Sequence, residues 1–162
     1  MATEILLILA VIVVFAVIFN GIEDYSKDKE AMSFREAMDL VDLPIITFYN
    51  ESTKLNLLLD TGSSMNVINS NILESLTHTK LEESGTIYGM EGNVINIEYI
   101  SMKITHGNDS YSSVFQLVDM QKAFDKIKEE YGVQVHGILG SSFFKEFGYM
   151  LDFKSLVAYS RV

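Results

Sequence analysis

The sequence predicts a mostly β fold with two or three short helices, preceded by one N-terminal transmembrane helix. Three features lead to that expectation. From Leu43 onward, apolar runs of strand length are broken every few residues by clusters of Gly, Asn, Asp, Ser and Thr. Helix-period spacing is confined there to short stretches. Ahead of that part, residues 5–19 form an apolar run without a charge.

That run, ILLILAVIVVFAVIF, covers roughly 22 Å as a helix at ~1.5 Å per residue, so its flanks within residues 1–22 are needed to approach a hydrocarbon core of about 30 Å. Glu4 and no Lys or Arg stands before it, and no A-x-A site follows. A retained anchor therefore fits better than a cleaved signal peptide. Lys27, Lys29 and Arg35 lie after the run, which places the remainder of the chain in the cytoplasm by the positive-inside rule. Residues 23–42 are mostly charged and polar and read as a tether, partly helical, before Pro44 forces an extended start. Residues 43–162 form the folded domain.

Within that domain, LPIITFY and KLNLLL flank the turn-forming NEST, so Leu43–Leu59 predicts a hairpin. SNILESL predicts a short helix capped by Ser70 or Asn71, with Ile72, Leu73 and Leu76 inward. TIYGMEGNVINIEYISMKI predicts a second hairpin with GMEGN at its tip. In its second arm Ile95, Ile97 and Tyr99 alternate with polar residues, then the phase slips to Ile100, Met102 and Ile104. A bulge or bend near Tyr99 would account for the slip. After the turn GNDS comes a strand through Val114, Phe115, Leu117 and Val118. A helix over Met120–Tyr131 follows, with Ala123, Phe124, Ile127 and Tyr131 inward, Asp119 as N-cap and Gly132 past its end.

The totals exclude several functions. A formal charge of −10 over 162 residues, with no cluster of Lys and Arg, argues against a nucleic-acid partner. The absence of cysteine removes disulfides, thiolate nucleophiles and cysteine metal sites. His78, His106 and His136 are scattered without ligand spacing, so neither a metal nor a cofactor is expected. Asn50 and Asn108 begin short glycosylation-like patterns of the kind that arise by chance in turns.

One stretch stands apart. In LNLLLDTGSSMNVIN, Asp60 ends an apolar strand with no basic residue beside it. Asp, Thr and Gly together make an ordinary turn. A carboxylate placed after three leucines nevertheless needs compensation. The following turn can supply it: backbone N–H groups to hold the carboxylate, Gly62 to let the chain bend, and the hydroxyls of Thr61 and Ser63.

LLLDTGSSMNVIN resembles the active-site strand and loop of the pepsin and retropepsin clan of aspartic proteases. IYGMEGN lies where that clan has its flap, and HGILGSSFFKEFGYMLDF is similar to its second signature. The three occur in the clan's order over Leu43–Tyr159. With one D-T-G, the resemblance implies a single-lobe, retropepsin-like homodimer in which two Asp60 carboxylates share a proton and activate a water. It further implies that Thr61 bonds across the two-fold axis, that Ser63 supports the outer carboxylate oxygen, and that the strand around SLVAYSRV joins the dimer sheet. Tyr88, Gly89, Met90, Glu91 and Gly92 become the substrate-binding flap, and Ile138, Leu139 and Gly140 the support behind the loop. The implied substrate is an extended protein or peptide bound by strand addition. The helix at Met120–Tyr131 is longer than small retropepsins need. A protease-fold module that binds extended peptides without cutting them is the alternative.

Overall fold

The structure, a computed structural model, describes residues 31–88 and 94–161, and side chains outside residues 83–96. The expected anchor at residues 1–22 and the first part of the tether lie outside the described residues. Among the described residues no helix is long and apolar enough to cross a membrane.

The folded unit begins at Met32, earlier than the expected domain start at Leu43. Helix α1, Phe34–Val41, belongs to it. Ser33 caps the helix through a reciprocal box with Glu36. Phe34, Ala37 and Val41 are buried and Met38 packs partly against the core. Their one-face spacing turns the end of the expected tether into a packed helix. The segment before α1 is fastened to the next strand, with Thr47 N donating to Met32 O at 2.9 Å.

Strands β1, Ile45–Asn50, and β2, Thr53–Leu59, form the expected hairpin. Its turn is tighter than a four-residue break, since Asn50 already pairs with Thr53. Strand β3, Asn66–Asn69, leads into a 3-10 helix, Ser70–Ser75, rather than an α-helix. Neither Ser70 nor Asn71 caps it; Asn69 holds the N-cap position, and its amide binds Gln121 Oε1 and the Met120 N–H instead. Leu76 is buried, with Ile72 and Leu73 packed against the core, as their spacing predicts.

Strands β4, Thr79–Tyr88, and β5, Val94–His106, make the second hairpin. The expected irregularity falls on β4, between Lys80 and Ser84, and not near Tyr99. Strand β5 runs in unbroken register with β6, Asp109–Val118. Its phase slip records a change of covered face. Ile100, Met102 and Ile104 enter the main core, while Ile97, three residues before Ile100, is buried on the opposite face. Gly107, with φ 59°, makes the β5–β6 turn.

Helix α2, Gln121–Tyr131, joins β6 to β7, Gly137–Leu139. Met120 rather than Asp119 is the N-cap residue, although Asp119 Oδ1 accepts from Gln121 N. Phe124 is buried and Ile127 partly so, whereas Ala123 and Tyr131 face outward, contrary to expectation. Gly132 ends the helix at φ 74°. After β7 come α3, Ser141–Phe147, then β8, Tyr149–Asp152, and β9, Val157–Ser160.

The main sheet runs β1-β2-β7-β3-β6-β5-β4, and a β1–β5 contact at Tyr49 and Thr105 curls it into a barrel. Two cores lie on its faces. Phe48, Leu57, Ile68, Phe115, Leu139 and Phe143 belong to the larger one. The smaller gathers Ala37, Val41, Ile45 and Phe124 beneath α1 and α2, with Leu58 and Ile138 packed against it. The C-terminal strand pairs within its own chain, with β8, in a separate two-stranded sheet.

Candidate active site

Asp60 follows the last residue of β2, half-buried, where that strand runs beside β7, whose other edge pairs with β3. The strand is extended and apolar up to Leu59; Thr61 and Gly62 then form an exposed turn. The turn holds the carboxylate as its composition predicts, since Gly62 N donates to Asp60 Oδ1 at 2.8 Å. Ser63 N donates to Asp60 O at 3.1 Å, closing the loop. A Cβ at residue 62 would stand 3.1 Å from Asp60 Oδ1, so glycine is what lets the carboxylate lie against this amide.

The Ser63 hydroxyl donates to Met65 O at 2.7 Å and braces the loop internally. Thr61 is exposed at the loop's tip.

The second signature meets the loop through backbone contacts. Asp60 N donates to Leu139 O at 3.0 Å, and Ser141 N to Ser63 O at 2.7 Å. Leu139 is fully buried behind the loop, while Ile138 is paired in register with both Leu58 and Val67. Gly140 makes the closest approach: an added Cβ would meet Met65 O at 2.4 Å and Ser63 O at 2.8 Å.

Sequence reasoning missed Asn66. It is 1% exposed, and its amide satisfies four partners. Oδ1 accepts from Gly140 N at 3.0 Å and Ser142 Oγ at 3.4 Å; Nδ2 donates to Ser113 Oγ and Val114 O, each at 3.0 Å. The available signal was a lone amide opening the apolar segment that follows the D-T-G loop.

Of the flap residues, Tyr88 closes β4 opposite Val94. Gly89, Met90, Glu91 and Gly92 lie outside the described residues. The histidines have backbone partners: His78 Nδ1 contacts Leu76 O, His106 Nδ1 contacts Thr47 O, and His136 Nδ1 accepts from Asn56 N. Among the described residues no group of three or more His, Cys, Asp or Glu is arranged to hold a metal. Asn50 is buried and bonded to Thr77 and Lys103, so that glycosylation pattern is occupied structurally.

Barrel, loop and backing strand together define a single-lobe, retropepsin-like fold. A solved structure that it resembles is the EIAV protease complexed with the inhibitor HBY-793, at a TM-score of 0.51 and 20% identity. The match covers 71% of this chain and 97% of the viral one. No family model matches the sequence, and no curated protein does.

Proposed function

We propose that this chain is a membrane-anchored aspartic endopeptidase that works as a homodimer, with Asp60 of each subunit forming the catalytic pair. The observation that carries the reading is the Asp60 carboxylate, seated on the Gly62 amide at 2.8 Å in a loop backed by the Leu139–Gly140 turn. A single lobe supplies one such carboxylate, and two-fold association supplies the second. Two carboxylates about 3 Å apart retain one proton between them. The ionised one takes a proton from a bound water, while the protonated one gives its proton to the scissile carbonyl oxygen. The water oxygen adds to the carbonyl carbon, and collapse of the tetrahedral adduct with protonation of the amine breaks the C–N bond.

The β4–β5 hairpin suits the flap role, closing an extended peptide against the loop. Residues 1–22 act as the anchor, residues 23–31 link it to the folded unit, and the protease faces the cytoplasm. Anchoring suits processing of membrane-proximal proteins, and confinement to the bilayer raises the effective concentration of subunits.

The test is incubation of the full chain in detergent with a diverse peptide mixture from about pH 4 to 7, where a shared-proton dyad operates. Asp60→Asn is assayed alongside, and new peptide ends are read by mass spectrometry. Cleavage that disappears in the variant is expected. Comparable cleavage by both proteins refutes the assignment, and retention of peptides without cleavage by a dimeric sample establishes the binding module instead.

A further inference from the structure

We propose that Gln116, with the hydroxyl of Tyr99, forms a polar subsite on the Asp60 face of the sheet, one that takes an uncharged amide side chain of the substrate. The proposal rests on the reading of Asp60 as the catalytic carboxylate.

A row of paired residues crosses the sheet. Leu58 pairs with Ile138, Ile138 with Val67, Val67 with Gln116, and Gln116 with Tyr99. Their neighbours along each strand, Leu59, Leu139, Ile68, Phe115 and Ile100, belong to the larger core. Alternation therefore turns the row to the opposite face. Asp60 lies two residues beyond Leu58, and its N–H continues the ladder to Leu139 O, so the carboxylate shares that face.

The far end of the row is the root of the β4–β5 hairpin. Pairing of β5 with β6 stops at Glu98 and Leu117, one residue past Tyr99 and Gln116. Strands β4 and β5 stay paired as far as Tyr88 and Val94. A peptide held between the Asp60 loop and this hairpin thus crosses the row. At the near end, Leu58 and Ile138 pack against the cluster that includes Phe124, so α2 walls that side.

The row changes chemistry along its length. Leu58, Ile138 and Val67 are apolar and suit side chains close to the scissile bond. Gln116 follows them at 8% exposure, and its Nε2 donates to the hydroxyl of half-buried Tyr99 at 3.3 Å. Among the described residues neither side chain makes another hydrogen bond. The Gln116 carbonyl is left to accept and the Tyr99 O–H to donate, a pair that matches the N–H and C=O of one Asn or Gln side chain. A carboxylate has no donor for the Gln116 carbonyl, and an ammonium has no acceptor for the Tyr99 O–H. An aliphatic side chain leaves both polar groups unpaired, which costs affinity.

Gln116 stands three strands from Leu58. At about 4.8 Å per strand that is about 14 Å, the span of about four residues of extended peptide. Two-fold association repeats the subsite, so the amide preference should recur about four residues from the scissile bond on both sides.

The test is cleavage of a randomised peptide library by the full chain in detergent, with cut ends read by mass spectrometry. Peptides retained by the immobilised protein, wild-type and Asp60→Asn, would be read from the same library. Wild-type protein is expected to favour Gln or Asn over Leu about tenfold at the stated positions. Gln116→Leu should reverse that preference and leave the choice of residues at the scissile bond unchanged. Tyr99→Phe removes only a hydroxyl and should weaken the amide preference about threefold, which keeps the test decisive where Gln116→Leu does not fold. A wild-type profile without amide preference, or an unchanged profile in either folded variant, overturns the subsite alone. Retention of amide-bearing peptides without cleavage supports the subsite and overturns the protease reading. Neither cleavage nor retention overturns both.

Discussion

The backbone N–H of Asp60 donates to the carbonyl of Leu139 at 3.0 Å, so the carboxylate-bearing loop and its backing strand share one hydrogen-bond ladder. Gly140, the next residue, lies against the same loop with no room for a side chain: a Cβ would meet Met65 O at 2.4 Å. The obstacles there, the Met65 and Ser63 carbonyls, are backbone groups, which cannot swing aside. Gly140→Ala should therefore destabilise the fold by about 1–3 kcal/mol, the usual cost of overpacking. Chemical denaturation measures this, and peptide cleavage should fall further than the lost stability explains. An unchanged unfolding midpoint would mean that the loop yields freely.

Asn66 ties four elements together from inside the protein. Asn66→Ala leaves the Gly140 N–H and the Val114 carbonyl without this partner. At about 1–3 kcal/mol per buried unsatisfied group, a loss of roughly 2 kcal/mol or more is expected in denaturant unfolding. Asn66→Asp retains an acceptor for Gly140 N but turns a carboxylate toward Val114 O. It should be no better than the alanine variant at neutral pH, and recovery on acidification would identify the lost donor as the cause.

These two residues also show what the sequence carried and what it withheld. The Asp60 turn was legible because its geometry is local: Asp, Thr and Gly form it within a few bonds of one another. The β1–β2 and β5–β6 hairpins were legible for the same reason. Asn66 was not, because its partners come from β6, the β7–α3 turn and α3, which only the finished barrel brings together. Helix α1 did announce itself in Ser33-x-x-Glu36 and in Phe34, Ala37, Met38 and Val41, but the charges interleaved among them read as a solvated tether. The displaced bulge has a similar origin. A phase slip in one strand looks the same whether that strand bulges or simply changes the face it buries, and here the extra residues sit in its partner β4.

The proposed shared site makes a quantitative prediction about mixtures. If each active unit needs two Asp60 carboxylates, wild-type and Asp60→Asn chains mixed equally and allowed to exchange should form dimers at random. Specific activity per wild-type chain should then drop to about one half, since about one quarter of the dimers carry both carboxylates. Cleavage rates after exchange in detergent measure this directly. Activity per wild-type chain that is unaffected by the variant would require a catalytic unit within one subunit.

His136 sets how the fold responds to acid. Its backbone joins two strands, with its N–H donating to Asn56 O at 2.9 Å and its carbonyl accepting from Asn69 N at 3.0 Å. Its ring accepts the Asn56 N–H at Nδ1, 2.9 Å away, a bond that only the unprotonated nitrogen can make. Burial pushes the imidazole below its ordinary value of 6.5, and the charge of Lys128 adds to the effect. Below pH 6.5 the unfolded chain therefore binds this proton before the folded one does. The contribution to stability is complete above that pH and is lost as pH falls through the lowered folded value. Glu36 and Asp152, whose carboxyls are held below their ordinary values by hydrogen bonds, act at lower pH. The melting temperature of the full chain should thus decline as pH falls below 6.5 through His136 in particular. In His136→Asn the amide oxygen still accepts from Asn56, so the variant should be less stable at pH 7 but lose less on acidification. Parallel slopes for the two proteins would place the proton-linked group elsewhere.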